Sequence, residues 1–266
     1  MSSTSRRVLA VLGDPVAHSL SPLMHAASFA ALGIPAVYGA VRCDATALPT
    51  LMRALASSGG GNVTIPHKQI ALAALDQSTP TALAVGAANT FWGDDRLLIG
   101  DNTDVEGIKA AVAELTVPSG GWLIIGTGGS ARAAVIAAIA LDVSVCIRSR
   151  DPRRGREFTR WAEAAGARAA STDECALCIN TTPLGLRADD PLPLHRAAAP
   201  HAVAALDMVY VAGTTAWVRH WRRHGCAAAD GRSMLVAQGA ASARRWFPDI
   251  EPSVAAMRRA VDAALG

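Results

Sequence analysis

The chain has 266 residues, 51% hydrophobic and only 5% aromatic, with a formal net charge of +3. That apolar content suffices for one large domain or two of ordinary size, with cores built mostly from Ala, Val, Leu and Ile. The mild, dispersed charge argues against a nucleic-acid partner. No run approaches the ~18 apolar residues of a membrane span, and the short polar N-terminus lacks a signal-peptide core.

In chain order, Arg7 to Leu12 reads as a short apolar strand ending in the turn Gly13-Asp14-Pro15. A helix follows from Ser21-Pro22 to Gly33, with Ser21 expected as N-cap and Pro22 at the first helical position. A strand is expected over Ala36 to Val41 and a helix over Thr46 to Ser57. The triplet Gly59-Gly60-Gly61 reads as a turn before a strand from Asn62 to Ile65, and a further helix follows Pro66. Two short strands around Thr90 and Leu97 lead to a turn at Gly100 and a helix from about Asp104 to Leu115. The rhythm then restarts with a strand (Trp122 to Ile125), a glycine loop, a helix (Ser130 to Leu141) and a strand (Val143 to Ile147). Asp151-Pro152 caps a helix reaching about Ala165. Strands near Leu177–Asn180 and Ala204–Asp207 follow, then helices from about Thr215, Ser233 and Ser253. Strands alternating with helices predict an α/β fold, and the natural boundary falls near Asp104–Val105.

The five cysteines are odd in number and scattered, unlike a disulfide framework. Cys175 and Cys178 spell C-x-x-C without a second half-site, so they read as structural rather than metal-binding. Of the 25 basic residues only Lys68 and Lys109 are lysine. A lysine kept against such a bias can do what arginine cannot, namely give up a proton. Lys109 lies in an ordinary helix; Lys68 sits among polar motifs.

Gly126-x-Gly128-x-x-Ala131 lies between an expected strand and an expected helix, the setting in which a glycine-rich loop binds a dinucleotide. The glycines let backbone approach the pyrophosphate, and the helix N-terminus offers free N–H groups. At the end of the next strand the chain reads Arg148-Ser149-Arg150-Asp151-Pro152-Arg153-Arg154. Four arginines favour the 2′-phosphate of NADP, since a guanidinium can hold it with two hydrogen bonds. Asp151, which could argue for NAD, precedes a helical proline and is read as an N-cap.

Four polar motifs lie in the first 104 residues: His18-Ser19-Leu20-Ser21-Pro22, Asn62 to Lys68 (NVTIPHK), Gly86 to Thr90 (GAANT) and Gly100 to Asp104 (GDNTD). Three more follow: Asn180 to Gly185 (NTTPLG), Asp207 to Tyr210 (DMVY) and Gly231 to Gln238 (GRSMLVAQ). Together with the glycine loop, these motifs in this order closely resemble the shikimate dehydrogenase family, over nearly the whole chain from Gly13 to about Gln238.

The resemblance implies an α/β protein of two domains. An N-terminal substrate-binding and catalytic domain would span 1–104, completed by 231–266, and a Rossmann-like NADP domain 105–230, with the C-terminal helices returning to the first domain. It implies that Ser19 and Ser21 hold the substrate carboxylate, helped by Thr64 and Tyr210, and that Asn62, Asn89 and Gln238 hydrogen-bond the ring hydroxyls. Lys68 and Asp104 would flank the oxygen that changes between ketone and alcohol. Gly126, Thr127, Gly128, Gly129, Ser130, Ser149, Arg150, Arg154, Thr181, Met208 and Gly231 would line the NADP. Ser149 stands where the family usually has Asn, Asp151 where it has Thr, Leu186 where it has Met, and Ala216 where it has Pro. The implied activity is reversible, NADP-dependent reduction of 3-dehydroshikimate to shikimate in a cytoplasmic monomer or homodimer. A quinate/shikimate or amino-shikimate dehydrogenase and a non-catalytic NADP-binding sensor are the alternatives. As an ammonium, Lys68 can polarise the carbonyl, and either Lys68 or Asp104 can act as base in the oxidation direction.

Overall fold

The computed structural model describes residues 6–94 and 96–266. The chain divides into two compact units, one of Met1–Gly107 with Leu235–Ala264, the other of Ile108–Met234 with Leu265–Gly266.

In the first unit the elements run β1 (Arg7–Gly13), α1 (Ser21–Leu32), β2 (Ala36–Arg42), α2 (Leu48–Ala56), β3 (Gly59–Val63), α3 (Lys68–Ala74), β4 (Gln77–Ser78), α4 (Pro80–Val85), β5 (Thr90–Asp94) and β6 (Leu97–Asp101), then α5 (Asp104–Glu114). The six strands form one sheet in the order β2-β1-β3-β5-β6-β4. β1 pairs parallel with β2 and β3, while β5 runs antiparallel to both β3 and β6. Leu12, Leu48, Met52, Val63, Phe91 and Leu98 form its core against α2. The register pairs Asn62 with Thr90 and Thr90 with Asp101. The C-terminal ends of β1, β3 and β6 and the start of β5 therefore share one end of the sheet.

Two local expectations are corrected here. Gly59-Gly60-Gly61 is the body of β3 rather than a turn. Gly60 has φ +124°, and a Cβ there would strike the Phe91 carbonyl, with the Trp246 ring at 3.0 Å; at Gly61 a Cβ would strike the Ala10 carbonyl. Close approach of neighbouring backbone, and not chain reversal, demands these glycines. Ser21 is not the N-cap of α1: Leu20 holds that position, no side chain caps the helix, and Ser21 is its first residue. The turn closed by Ser19 N–H to the Val16 carbonyl runs straight into the helix, which brings the start of the helix one residue earlier and takes in the serine.

The second unit contains β7 (Gly121–Ile125), α6 (Gly129–Ala140), β8 (Val145–Arg148), α7 (Pro152–Ala164), β9 (Cys175–Asn180), β10 (Ala204–Asp207), α8 (Ala216–Arg223) and β11 (Ala227–Ala229). They form an all-parallel sheet in the order β11-β10-β9-β7-β8. Its central strands β7, β9 and β10 are buried along their whole length and read as near-continuous apolar runs, as expected for strands covered on both faces. Cys175 and Cys178 lie inside β9, packed with Leu123, Trp217 and Trp221. The chain leaves β7 on one side for β8 and returns on the other for β9, which makes β7/β9 the point where strand order reverses. Finally α9 (Arg232–Trp246) and α10 (Val254–Leu265) bring the chain back to the first unit. No helix among the described residues is long and apolar enough to cross a membrane.

Candidate active site

Lys68 opens α3 at the sheet end where the polar motifs gather, and Asp104 opens α5 there. Lys68 Nζ lies 2.5 Å from Asp104 Oδ2. The other carboxylate oxygen accepts a 2.8 Å hydrogen bond from Asn89 Nδ2. Asn89 Oδ1 in turn accepts from the Thr103 N–H at 2.7 Å and its hydroxyl at 3.1 Å. The Asp104 N–H donates to Asn102 Oδ1, so Asn102 serves this helix start and the Asp104 carboxylate is left to face Lys68. The pair is mostly buried, at 16% and 5% side-chain exposure. Such a pair is held in one geometry by its surroundings, unlike a surface ion pair.

Behind this pair runs a second layer that motif reading missed. Tyr38 donates to Asn62 Oδ1 at 2.7 Å, and Asn62 Nδ2 donates to the Asn89 carbonyl at 3.0 Å and to Ser242 Oγ at 2.9 Å. Ser242 Oγ lies 3.1 Å from the Thr103 hydroxyl and donates to the Gln238 carbonyl. Both amide hydrogens of Asn62 are thus spent inside the protein, and its position beside Asn89 makes it a brace for that residue. Of the remaining expected substrate residues, Ser19, Ser21 and Thr64 lie at the same sheet end, after β1 and β3. Ser19 Oγ accepts from the Ser21 N–H at 3.3 Å. Gln238 lies on α9 one turn before Ser242, its Nε2 donating to the Leu235 carbonyl. Tyr210 lies in the second unit, half-buried just beyond β10.

In the second unit the expected cofactor residues gather at the strand ends around the reversal point. Ile125 pairs with Arg148 on one side and Asn180 on the other. Gly126 has φ +121°, and a Cβ there would strike Thr181 Oγ1, so this turn accepts only glycine. α6 starts at Gly129 with Gly128 as N-cap and no side-chain cap, which leaves the first N–H groups of a 12-residue helix for an anion. Thr181 donates its hydroxyl to the Ile125 carbonyl at 2.7 Å, pinning the loops after β7 and β9 together. Asp207 accepts from Asn180, Thr215 and the Val209 N–H, which fixes the turn carrying Met208. Burial outweighs these hydrogen bonds and pushes its carboxyl up to about 6. A Cβ at Gly231 would strike the Met208 carbonyl.

After β8, Asp151 caps α7 by accepting from the Arg153 and Arg154 N–H groups at 2.9 and 3.2 Å. The acid is therefore occupied by the helix, in agreement with the cap reading. Arg153 pairs with Glu157 at 2.9 Å, while Arg148, Arg150 and Arg154 remain exposed. Ser149 Oγ accepts from the Asp151 N–H at 3.2 Å. A groove of about 780 Å³ beside α7 is lined by Arg148, Ser149, Arg156 and Arg160. Glycine loop, open helix terminus and exposed guanidiniums fit a phosphorylated dinucleotide, and one carboxylate oxygen of Asp151 is occupied by the helix start.

A parallel sheet with a dinucleotide loop and a second α/β unit carrying a buried lysine–carboxylate pair define a nucleotide-dependent oxidoreductase. Residues 11–91 match the shikimate dehydrogenase substrate binding domain, and residues 231–261 match the shikimate 5′-dehydrogenase C-terminal domain. The chain is 38% identical to a shikimate dehydrogenase (NADP(+)) of Methylobacterium radiotolerans, covering 92% of this chain and 93% of that one. It is 36% identical to that of Thermus thermophilus, covering 97% and 98%. The crystal structure of a T. thermophilus shikimate 5-dehydrogenase in complex with NADP(H) and shikimate superposes with a TM-score of 0.89 at 35% identity, covering 97% of this chain and 100% of that one. The chain belongs to the shikimate dehydrogenase family.

Proposed function

We propose that this protein catalyses the reversible, NADP-dependent reduction of 3-dehydroshikimate to shikimate, an oxidoreductase step of chorismate and aromatic amino-acid biosynthesis. The observation that carries the reading is the buried Lys68–Asp104 pair, with its carboxylate oriented by Asn89.

When bound, NADPH supplies the hydride to carbon, and the protein must orient the ketone and manage its oxygen. Lys68 donates a hydrogen bond to that oxygen and stabilises the alkoxide that develops as the carbonyl is reduced. Asp104 keeps the ammonium aimed at the substrate, and a proton passes to the oxygen from the pair. In the reverse direction the pair receives the hydroxyl proton. Asn89 and the brace behind it hold Asp104 still, so that the geometry exists before substrate arrives.

Ser19 and Ser21 bind the substrate carboxylate in this reading, with Thr64 alongside. Neither serine is the N-cap of α1, and although Ser19 Oγ accepts from the Ser21 N–H, both hydroxyl hydrogens can still be donated to a carboxylate. Charge-assisted hydrogen bonds contribute roughly 1.5–3 kcal/mol each, so replacing both with Ala should weaken shikimate binding by on the order of 10²- to 10⁴-fold. NADP affinity should barely change. Calorimetric titration of the single and double variants checks this; unchanged shikimate affinity would remove both residues from the site.

Arg150 and Arg154 hold the 2′-phosphate. Arg150→Ala should therefore raise the KM for NADP more than that for NAD, because only NADP carries that group. Equal rises would mean that Arg150 touches something the two cofactors share.

A further inference from the structure

The path of the cofactor across the second unit follows from where its phosphates fit. The exposed guanidiniums after β8 suit the 2′-phosphate, and the glycine loop and helix start after β7 suit the pyrophosphate. The strands lie in the order β8, β7, β9, β10. A dinucleotide laid from the first of these ends to the second continues over the ends of β9 and β10. Its nicotinamide half therefore falls on residues 181–185 and 208–210, the segments that leave those two strands.

Both strands are built from Ala, Cys, Leu and Ile until their last residue, which is polar. Asn180 and Asp207 are each 0% exposed, and the register sets them side by side. Asn180 Nδ2 donates to Asp207 Oδ1 at 2.8 Å and to the Leu184 carbonyl at 3.0 Å. Its Oδ1 accepts from the Thr182 N–H at 3.0 Å and the Thr182 hydroxyl at 2.7 Å. Asp207 Oδ1 also accepts from the Val209 N–H at 3.1 Å, and the Met208 N–H donates to the Asn180 carbonyl at 3.0 Å. The second carboxylate oxygen accepts from the hydroxyl of Thr215, the N-cap of α8. One buried pair thus ties the segment after β9 to the segment after β10.

Stability alone is a poor reason for this arrangement. Burying a carboxylate is costly even when it is hydrogen-bonded, and here burial outweighs all three donors. Full burial also keeps both side chains from touching a ligand. Whatever they do for the cofactor, they do through the two segments they join.

We propose that Asn180 and Asp207 are positioning residues for the nicotinamide half of NADP, locking the segments after β9 and β10 to each other so that binding does not have to order them. The proposal rests on the reading of this unit as the NADP site. Calorimetric titration of the full chain with NADP, and with adenosine 2′,5′-bisphosphate, which lacks the nicotinamide half, separates the two ends of the cofactor. Asp207→Ala and Asn180→Ala should each weaken NADP at least about tenfold and leave the bisphosphate within about twofold of the wild type. The double variant should lose no more than the worse single one, because both break the same tie. Asp207→Asn keeps an oxygen to accept from Asn180 and Val209 and should bind NADP as the wild type does. Hydrogen exchange on the wild type tests the same claim should an alanine variant fail to fold: the Thr182, Met208 and Val209 amides should be protected before NADP is added. None of these readings needs turnover, so they separate failure of this assignment from failure of the proposed reduction. Unchanged NADP affinity in both alanine variants, equal losses for NADP and the bisphosphate, additive losses in the double variant, or amides that exchange freely until NADP binds would overturn the proposal.

Discussion

Lys68→Ala should lower kcat by at least about 100-fold while shifting the KM for shikimate much less, because the group removed acts mainly in the transition state. The expectation rests on the position of Lys68 Nζ, 2.5 Å from a carboxylate that is itself fixed by Asn89. Lys68→Arg sharpens the test. A guanidinium keeps the positive charge but does not release a proton, and its planar fork does not fit a site built around one ammonium. This variant should bind shikimate and still turn over slowly. Lys109→Ala, which removes the chain's other lysine from its place on α5, should leave kcat unchanged. A Lys68→Ala enzyme that keeps most of its turnover would end the assignment, and steady-state kinetics on the three variants decides it.

The second large effect is on stability. His25 is fully buried in α1, stacked on Tyr38 at 4.4 Å and beside Trp246 at 5.0 Å. Neither ring nitrogen has a hydrogen-bond partner among the described residues. Burial alone lowers its pKa from 6.5 to about 3. The folded state thus refuses a proton that the unfolded chain accepts below 6.5. The neutral ring's contribution is present in full above that pH and is lost as the pH falls towards about 3. The slope is about 1.4 kcal/mol per pH unit, or roughly 3 kcal/mol between pH 7 and pH 4. Asp207 acts in the opposite sense. Its raised carboxyl keeps a proton in the folded state up to about 6, so its contribution is lost as pH rises through that value. Subtracting the unfolding free energy of His25→Phe from that of the wild type at each pH cancels Asp207 and leaves the histidine. That difference should change by several kcal/mol across the window. A difference that stays flat with pH would show that His25 gains no charge on unfolding.

Much of the site was legible because its chemistry sits in short local motifs. Lys68 stands out by residue type and company and Asp104 through the family resemblance, and the structure brings them together across 36 residues of chain. Asp151 was correctly placed as a cap because Asp-Pro at a helix start is a local signal. The supporting layer was not legible. Ser242 meets Asn62 across 180 residues, and Tyr38 reaches it from β2, on the far side of β1; no spacing rule joins residues that only the fold brings together. One clue was available, since Ser242 follows Gln238 by four and so shares its helix face. The glycine triplet was misread for a related reason. Three glycines favour a turn until Phe91 of the paired strand and Trp246 from near the end of the chain crowd the strand. The short β4 and α4 were missed although Thr79-Pro80 and Gly86 form a readable start and stop: Thr79 accepts from the Ala82 N–H, and Gly86 ends the helix left-handed. At two and six residues, neither element develops the periodicity that marks longer ones.

The most direct test of the catalytic account is a steady-state assay of the purified chain that crosses shikimate and quinate with NADP and NAD. The account predicts the highest kcat/KM for shikimate with NADP, a large loss when NAD replaces NADP, and a further loss when quinate replaces shikimate. Equal or better turnover of quinate, or preference for NAD, would contradict it. So would NADP binding without turnover of either substrate, which would make the protein a nucleotide sensor on a dehydrogenase fold.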